Sequence, residues 1–303
     1  MKQVPIKNSL MLLLTATIWG VAFVAQQVGM DFVGPFAFNT IRCFLGGLVL
    51  IPVILMINRK KDPAELASKK RMTWIGGACC GVVMFFAANL QQLGIQYTNA
   101  GKAGFITALY IVIVPILGIF LHKKAGLRIW ISVAISVVGL YLLCMKDSFA
   151  LSKGDFLIFL CAIGFSFHIL VIDHFGEKAD GVKMSCIQFF VAGILTAVCM
   201  FGFETLPTMT DLYAARYPIL YAGILSSGVA FTLQICGQKN MNPTVASLIM
   251  SLESVISVIA AWILLGQVLS TREIMGCVLM FTAIVLAQIP AKEKKVLVAT
   301  PLE

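Results

Sequence analysis

Charge is what this chain has least of. Asp, Glu, Lys and Arg together make up 12% of its 303 residues, against about 25% in an ordinary soluble domain. A water-facing surface needs more than that. With 59% apolar residues and a mean hydropathy of +0.94, the bilayer is left as the main solvent. Histidine is scarcer still: His168 lies inside a span and His122 and His174 at span ends, so no histidine set stands ready for a metal. None of the nine cysteines (Cys43, Cys79, Cys80, Cys144, Cys161, Cys186, Cys199, Cys236, Cys277) has CxxC spacing, and all lie in apolar runs. They read as small buried hydrophobes, not as disulfides or metal ligands. A Gly-rich phosphate loop with its lysine is lacking, so ATP-driven transport has no motif and no cofactor is expected. An enzyme embedded in the membrane would need a cluster of acids, histidines or a nucleophile with its base. Only Glu253 is a mid-span carboxylate, since Asp173 falls at a span end, which disfavours that class.

What is present is a series of apolar runs, each near the ~20 residues that cross a bilayer. They cover approximately residues 8–28, 35–57, 73–95, 103–121, 128–145, 155–173, 184–203, 217–237, 244–265 and 273–290, here spans 1 to 10. The first run follows Lys2 and Lys7 but continues past the length of a signal peptide, with no small-x-small cleavage site, so it reads as a span. The net charge of +9 does not mean nucleic acid, because the basic residues sit in short loops. With the N-terminus inside, 17 of the 23 Lys and Arg fall on the cytoplasmic side, six of them between Arg59 and Arg71. The outer loops hold Lys102, Lys146, Lys153, Arg216 and Arg272, and Arg42 lies inside span 2. That bias places both termini in the cytoplasm.

The chain also contains its own half-copy. GKAGFITALYIVIVPILGIFL (101–121) lies over TVASLIMSLESVISVIAAWIL (244–264), with Ala103 on Ala246, Leu109 on Leu252 and Val112 on Val255. KNSLMLLLTATIWGVAF (7–23) lies over KGDFLIFLCAIGFSFHI (153–169), with Trp19-Gly20 on Phe165-Ser166. The offsets are 143 and 146 residues. Five spans per half is an odd number, so the second half enters the membrane with opposite sense. The expected architecture is an all-α integral membrane protein of ten transmembrane helices in two inverted five-helix repeats, 1–148 and 149–291, with a basic tail at 292–303. Inverted repeats are a frequent plan of secondary carriers, whose substrate site lies where the halves face each other. A channel fits a single chain of inverted halves less well.

ATIWGVAFV (16–24), FNTIRCFLGGLVL (38–50), GIQYTNAGKAGFITALYIVIVP (94–115) and NPTVASLIMSLESVISVIAAWILLG (242–266) together resemble the ten-helix EamA branch of the drug/metabolite transporter superfamily. The resemblance runs over roughly residues 8–290. It implies a carrier of small metabolites, amino acids or amphiphilic compounds, often an exporter. It also implies a central cavity lined by spans 1–4 and 6–9, with spans 5 and 10 set back. Two departures stand out: span 4 ends LHKKAG (121–126), and span 9 ends LGQVLS (265–270) with Gln267 where the family often carries an acid.

Polar groups inside the spans are the candidates for substrate contact. Arg42 costs ~2.5–3.5 kcal/mol at a helix centre on insertion scales, so it should meet a cavity or a partner. It reads either as a bidentate anchor for a carboxylate or as a side chain snorkelling to the interface. Glu253 is a candidate for proton coupling or for a structural hydrogen bond, and whether it pairs with Arg42 is open. Phe85, Asn89, Gln92 and Gln96 share one helical stripe, as do Ser227, Phe231, Gln234 and Gln238 at the same spacings. The stripes read as cavity lining or as interhelical polar contacts worth ~0.6 kcal/mol on average. Trp19 and Tyr110 are candidate cavity aromatics or packing, and Tyr110 overlies Glu253 at the offset of 143. His168 is a candidate proton shuttle or a structural donor. Gly77 and Gly81 form a GxxxG packing signal. The partners expected are a small-molecule substrate, membrane lipid and a coupling proton, in a monomer or homodimer of the cell membrane. Amino-acid export and efflux of lipophilic cations are the two substrate readings.

Overall fold

The computed structural model describes residues 6–59, 63–98, 100–122, 126–144, 152–265 and 270–288. Among them the only regular structure is helical. In chain order the helices are α1 (Ile6–Gly29), α2 (Pro35–Asn58), α3 (Pro63–Ile95), α4 (Ala100–Ala108), α5 (Tyr110–Phe120), α6 (Leu127–Cys144), α7 (Lys153–Phe175) and α8 (Gly181–Phe203). They continue with α9 (Met209–Ala214), α10 (Arg216–Leu220), a π-helical stretch (Tyr221–Phe231), α11 (Thr232–Gly237), α12 (Pro243–Met250), α13 (Glu253–Leu265) and α14 (Thr271–Gln288). Eight stretches among the described residues are long and apolar enough to cross a bilayer, and Leu127–Leu142 is a shorter apolar helix. The basic tail at 292–303 and Gln267 lie outside the described residues.

Two helix starts show how the first free N–H groups find acceptors. Ser152 and Asp155 cap α7 reciprocally: Ser152 Oγ accepts from the Asp155 N–H at 3.1 Å, and Asp155 Oδ2 accepts from the Ser152 N–H at 2.7 Å. The first turn of α2 is capped from the other half. Phe36 and Ala37 donate their N–H groups to the two carboxylate oxygens of Glu204, each at 2.9 Å. Gly34 makes room for it, since a Cβ there would lie 2.6 Å from the Glu204 carboxyl carbon.

Two interruptions fall inside runs that hydropathy reads as continuous. One is at Leu109, between α4 and α5; the other is at Ser251-Leu252, between α12 and α13. Leu109 and Leu252 are equivalent at the offset of 143. In the second half serine hydroxyls compete for backbone carbonyls: Ser247 Oγ donates to Thr244 O and Ser251 Oγ to Leu248 O, an arrangement that bends helices.

Packing partners come in exchanged pairs. α3 packs on α7, as the span from α10 to α11 packs on α1; α3 packs on α8, as the π stretch packs on α2. α4 and α5 lie on α7, as α13 and α12 lie on α1. α2 with α8, α5 with α12 and α6 with α14 meet across the halves, each span on its own counterpart. The correspondence reaches single atoms. A Cβ on Gly94 would strike Ile158 and approach Gly154 O; one on Gly237 would strike Leu12 and approach Asn8 O. Asn39 donates to Asn89 Oδ1 at 3.0 Å, and their counterparts Ser185 and Thr232 share a hydrogen bond at 2.8 Å. This is the pattern of two copies exchanged by a two-fold rotation.

The register also explains the π stretch. Gly81 meets Val191 and Gln188 O, while Gly223 meets Leu45 and Arg42 O. One residue more separates Gly223 from Gly237 than separates Gly81 from Gly94. The π stretch runs past Gly223 to Phe231, so most of it lies between Gly223 and Gly237, and a π-bulge is how a helix absorbs one added residue.

Candidate functional site

The two interruptions meet. The Tyr110 hydroxyl donates to Glu253 Oε1 at 3.0 Å, and both residues are buried. Tyr110 and Glu253 are equivalent positions, and a residue that touches its own counterpart must lie on the axis relating the halves. Gly20 of α1 fixes how closely this point is approached, since a Cβ there would sit 2.7 Å from Glu253 O and 2.5 Å from Ile256 Cβ.

Beside this pair is a small cavity of about 30 Å³. Five equivalent pairs contribute to its lining: Trp19 and Phe165, Phe23 and Ile169, Gln91 and Gln234, Thr107 and Met250, Tyr110 and Glu253. Gln26, Arg42, Ser226, Phe231 and Ala22 add the rest, and α6 and α14 add nothing among the described residues. The aromatic wall is continuous: the Trp19 and Phe231 rings lie 4.6 Å apart and those of Phe165 and Phe231 6.5 Å apart. The Trp19 indole N–H donates to Ser226 O at 3.3 Å.

Arg42 is buried and is the cavity's permanent cation. Its Nη1 donates to Gln26 Oε1 at 2.8 Å and its Nε to Ser227 Oγ at 3.3 Å. Among the described residues it makes no ion pair with Glu253, whose hydroxyl donor is Tyr110. Arg42 and Glu253 thus border one cavity with separate neutral partners. Gln234 also borders it, and among the described residues its Oε1 finds no hydrogen-bond donor.

Of the residues singled out in the sequence, Trp19, Arg42, Tyr110, Phe231, Gln234 and Glu253 line this cavity. Phe85, Asn89, Gln92, Gln96, His168 and Gln238 do not. Asn89 is occupied between helices, donating to Thr196 Oγ1 at 2.9 Å and Phe85 O at 2.8 Å. Phe85 packs edge-on against Phe86 and in the core with Met84 and Phe189. Gln92 is fully buried and donates to Gln26 O at 3.4 Å, while Gln96 is exposed at the end of α3. His168 stands behind the aromatic wall, its Nε2 3.0 Å from Gln188 Oε1 and its ring edge-on to Phe231. Gln238 is buried at the end of α11. Gly77 and Gly81 do serve packing, against Ile187 and Val191 of α8.

Gln91, Gln26, Thr107 and Phe165 were missed. The sequence comparison aligned Gln92 with Gln234, but the residue inserted in the π stretch shifts the register by one, so Gln91 is the counterpart. Its Nε2 donates to Thr107 Oγ1 at 3.2 Å.

The family comparison agrees with the doubled architecture. The chain matches the EamA-like transporter family twice, over residues 7–145 and 152–288. The chain belongs to that family. It is similar to an uncharacterized transporter of Archaeoglobus fulgidus, 28% identical over 279 residues, 92% of this chain and 84% of that one. It is also similar to the uncharacterized transporter YoaV of Bacillus subtilis, 21% identical over 96% of this chain and all of that one. A solved crystal structure shares the fold with a TM-score of 0.73 at 17% identity, over 92% of this chain and 96% of the other. This EamA-type protein is therefore a multi-pass membrane transporter.

Proposed function

We propose that this EamA-type transporter is a secondary carrier of the cell membrane that exports a small zwitterionic solute, an amino acid or a close relative. The observation that carries the reading is the presence of a guanidinium and a carboxyl group on one aromatic-walled cavity: Arg42 at one side and Glu253 at the axis. Arg42, steadied by Gln26 and Ser227, anchors the carboxylate by charge-assisted hydrogen bonds. Glu253 and Gln234 Oε1 offer acceptors to an ammonium group, and Trp19, Phe165 and Phe231 cover the apolar part. The halves rock about the Tyr110–Glu253 contact, with ten spans in two inverted repeats and both termini in the cytoplasm. Glu253 takes up and releases a proton as the cavity alternates between the two faces, which couples export to the proton gradient.

The same carboxylate and aromatic wall favour a second reading, efflux of lipophilic cations, in which cation–π contacts do the work and Arg42 is only structural. Transport in proteoliposomes separates the coupling role from simple structure. Glu253→Gln should abolish the response to an imposed pH gradient while leaving substrate counterflow. A gradient response that persists in the variant would remove Glu253 from coupling.

A further inference from the structure

A larger hollow lies away from the central cavity. It has a volume of about 490 Å³ between the end of α2, the start of α3 and the first half of α8. Both α2 and α3 lean on α8, where Gly47 meets Phe190 and Gly77 meets Ile187, and the space between them forms a trough. Its walls are apolar: Ile54 from α2, Leu66 and Trp74 from α3, and Ile187 and Phe190 from α8. Leu55, Met56 and Trp74 beside it are exposed, as side chains facing lipid are. Its mouth is basic. Lys69, Lys70 and Lys183 gather there, with Asp180 the one acid among the described lining residues.

The exchanged position in the other half has neither feature. There the register puts Asp211 in place of Lys69 and Ala37 in place of Lys183. The corresponding space is filled by Val33, Phe38, Ala215 and Ile219, with Leu212 packed against them. The trough and its lysines are therefore not a by-product of the repeat.

An apolar trough along the helices with cations at helix-end level matches one class of ligand in shape and charge. A phosphodiester meets the lysines and an acyl chain follows the trough, with the lysine stems lying along its upper part. We propose that this groove is a binding site for an anionic phospholipid.

Native mass spectrometry of the full chain, released from detergent after incubation with dioleoylphosphatidylglycerol, dioleoylphosphatidylcholine or inorganic phosphate, tests this. The expected result is a retained phosphatidylglycerol adduct with much weaker phosphatidylcholine and phosphate adducts. The double substitution Lys70→Gln with Lys183→Gln should weaken the phosphatidylglycerol adduct by about fivefold per lysine and leave the phosphatidylcholine adduct unchanged. Both lysines are at the surface or half-buried, so the variant folds as the parent does. Ile187→Trp, which fills the trough and keeps the lysines, should lose the lipid too. Equal adducts of the two lipids, or a phosphatidylglycerol preference that survives the double substitution, would overturn the site. A phosphate adduct of the same strength and lysine dependence would make it a free-anion site. A dimer peak sensitive to these substitutions would assign the groove to a second copy.

Discussion

The two ends of the bundle are closed by equivalent residues of different chemistry. At the lysine-rich end Asn8 of α1 donates its side-chain amide to Gly237 O at 2.9 Å and to Lys239 O at 2.7 Å. At the other end the equivalent of Asn8 is Gly154 of α7, and the equivalent of Gly237 is Gly94. Backbone lies on backbone there, so that a Cβ on Gly154 would come within 2.7 Å of Gly94 O and 2.8 Å of Tyr97 Cβ. Thr98 adds one hydrogen bond to Asp155, at 3.1 Å. One closure hangs on a side chain that can let go, the other on close backbone packing. The same division runs through the centre, where Arg42 corresponds to Gln188 and Glu253 to Tyr110. The repeat supplies a symmetric frame, and substitutions within it supply a charge arrangement that is not symmetric.

The comparison can be broken at four points, in descending order of effect. Gly20→Val drives a side chain into Glu253 O and Ile256 and separates α1 from the axis. Overpacking of this kind costs about 1–3 kcal/mol or more, and a fall in melting temperature together with loss of transport should be seen. Gly154→Val should lower stability by a similar mechanism but splay only the Gly94 end, read as labelling of cysteines placed at that end and not at the other. Tyr110→Phe removes the contact on the axis. It should cost about 1 kcal/mol of stability, and shift the pH dependence of transport because Glu253 loses its hydroxyl donor. Asn8→Ala should have the smallest effect on global stability, yet favour opening of the lysine-rich end by about fivefold for each of the two hydrogen bonds lost, since a hydrogen bond contributes about 1 kcal/mol net. Cysteine labelling near Lys239 measures it. Equal labelling changes at both ends in Asn8→Ala would show that the two closures are not independent.

Much of this was legible in the sequence, and the rest was hidden for identifiable reasons. The runs at 8–28, 35–57 and 155–173 differ from α1, α2 and α7 by a residue or two, because hydropathy sets where a helix leaves the bilayer. α3 begins at Pro63, ten residues before its apolar run, since hydropathy is blind to a helix of Glu, Lys and Arg. The interruptions at Leu109 and Ser251 left no mark, because apolar side chains continue through them. Tyr110 and Glu253 were already aligned by the duplication, and only the fold could show that they touch. Gln91 was lost to its neighbour Gln92 because an inserted residue inside a span leaves the hydropathy unchanged while turning the helix face. Phe165 was visible as the counterpart of Trp19, and the repeat could have nominated it.

In the proposed transport cycle Arg42 receives the carboxylate of a substrate in the cavity between the halves. A thermal-shift screen of the purified protein against amino acids, nucleosides, sugars, polyamines and lipophilic cations tests it most directly, run in parallel on Arg42→Gln. Carboxylate-bearing zwitterions should stabilise the parent and leave the variant unchanged. Stabilisation by lipophilic cations alone, unchanged in Arg42→Gln, would contradict it.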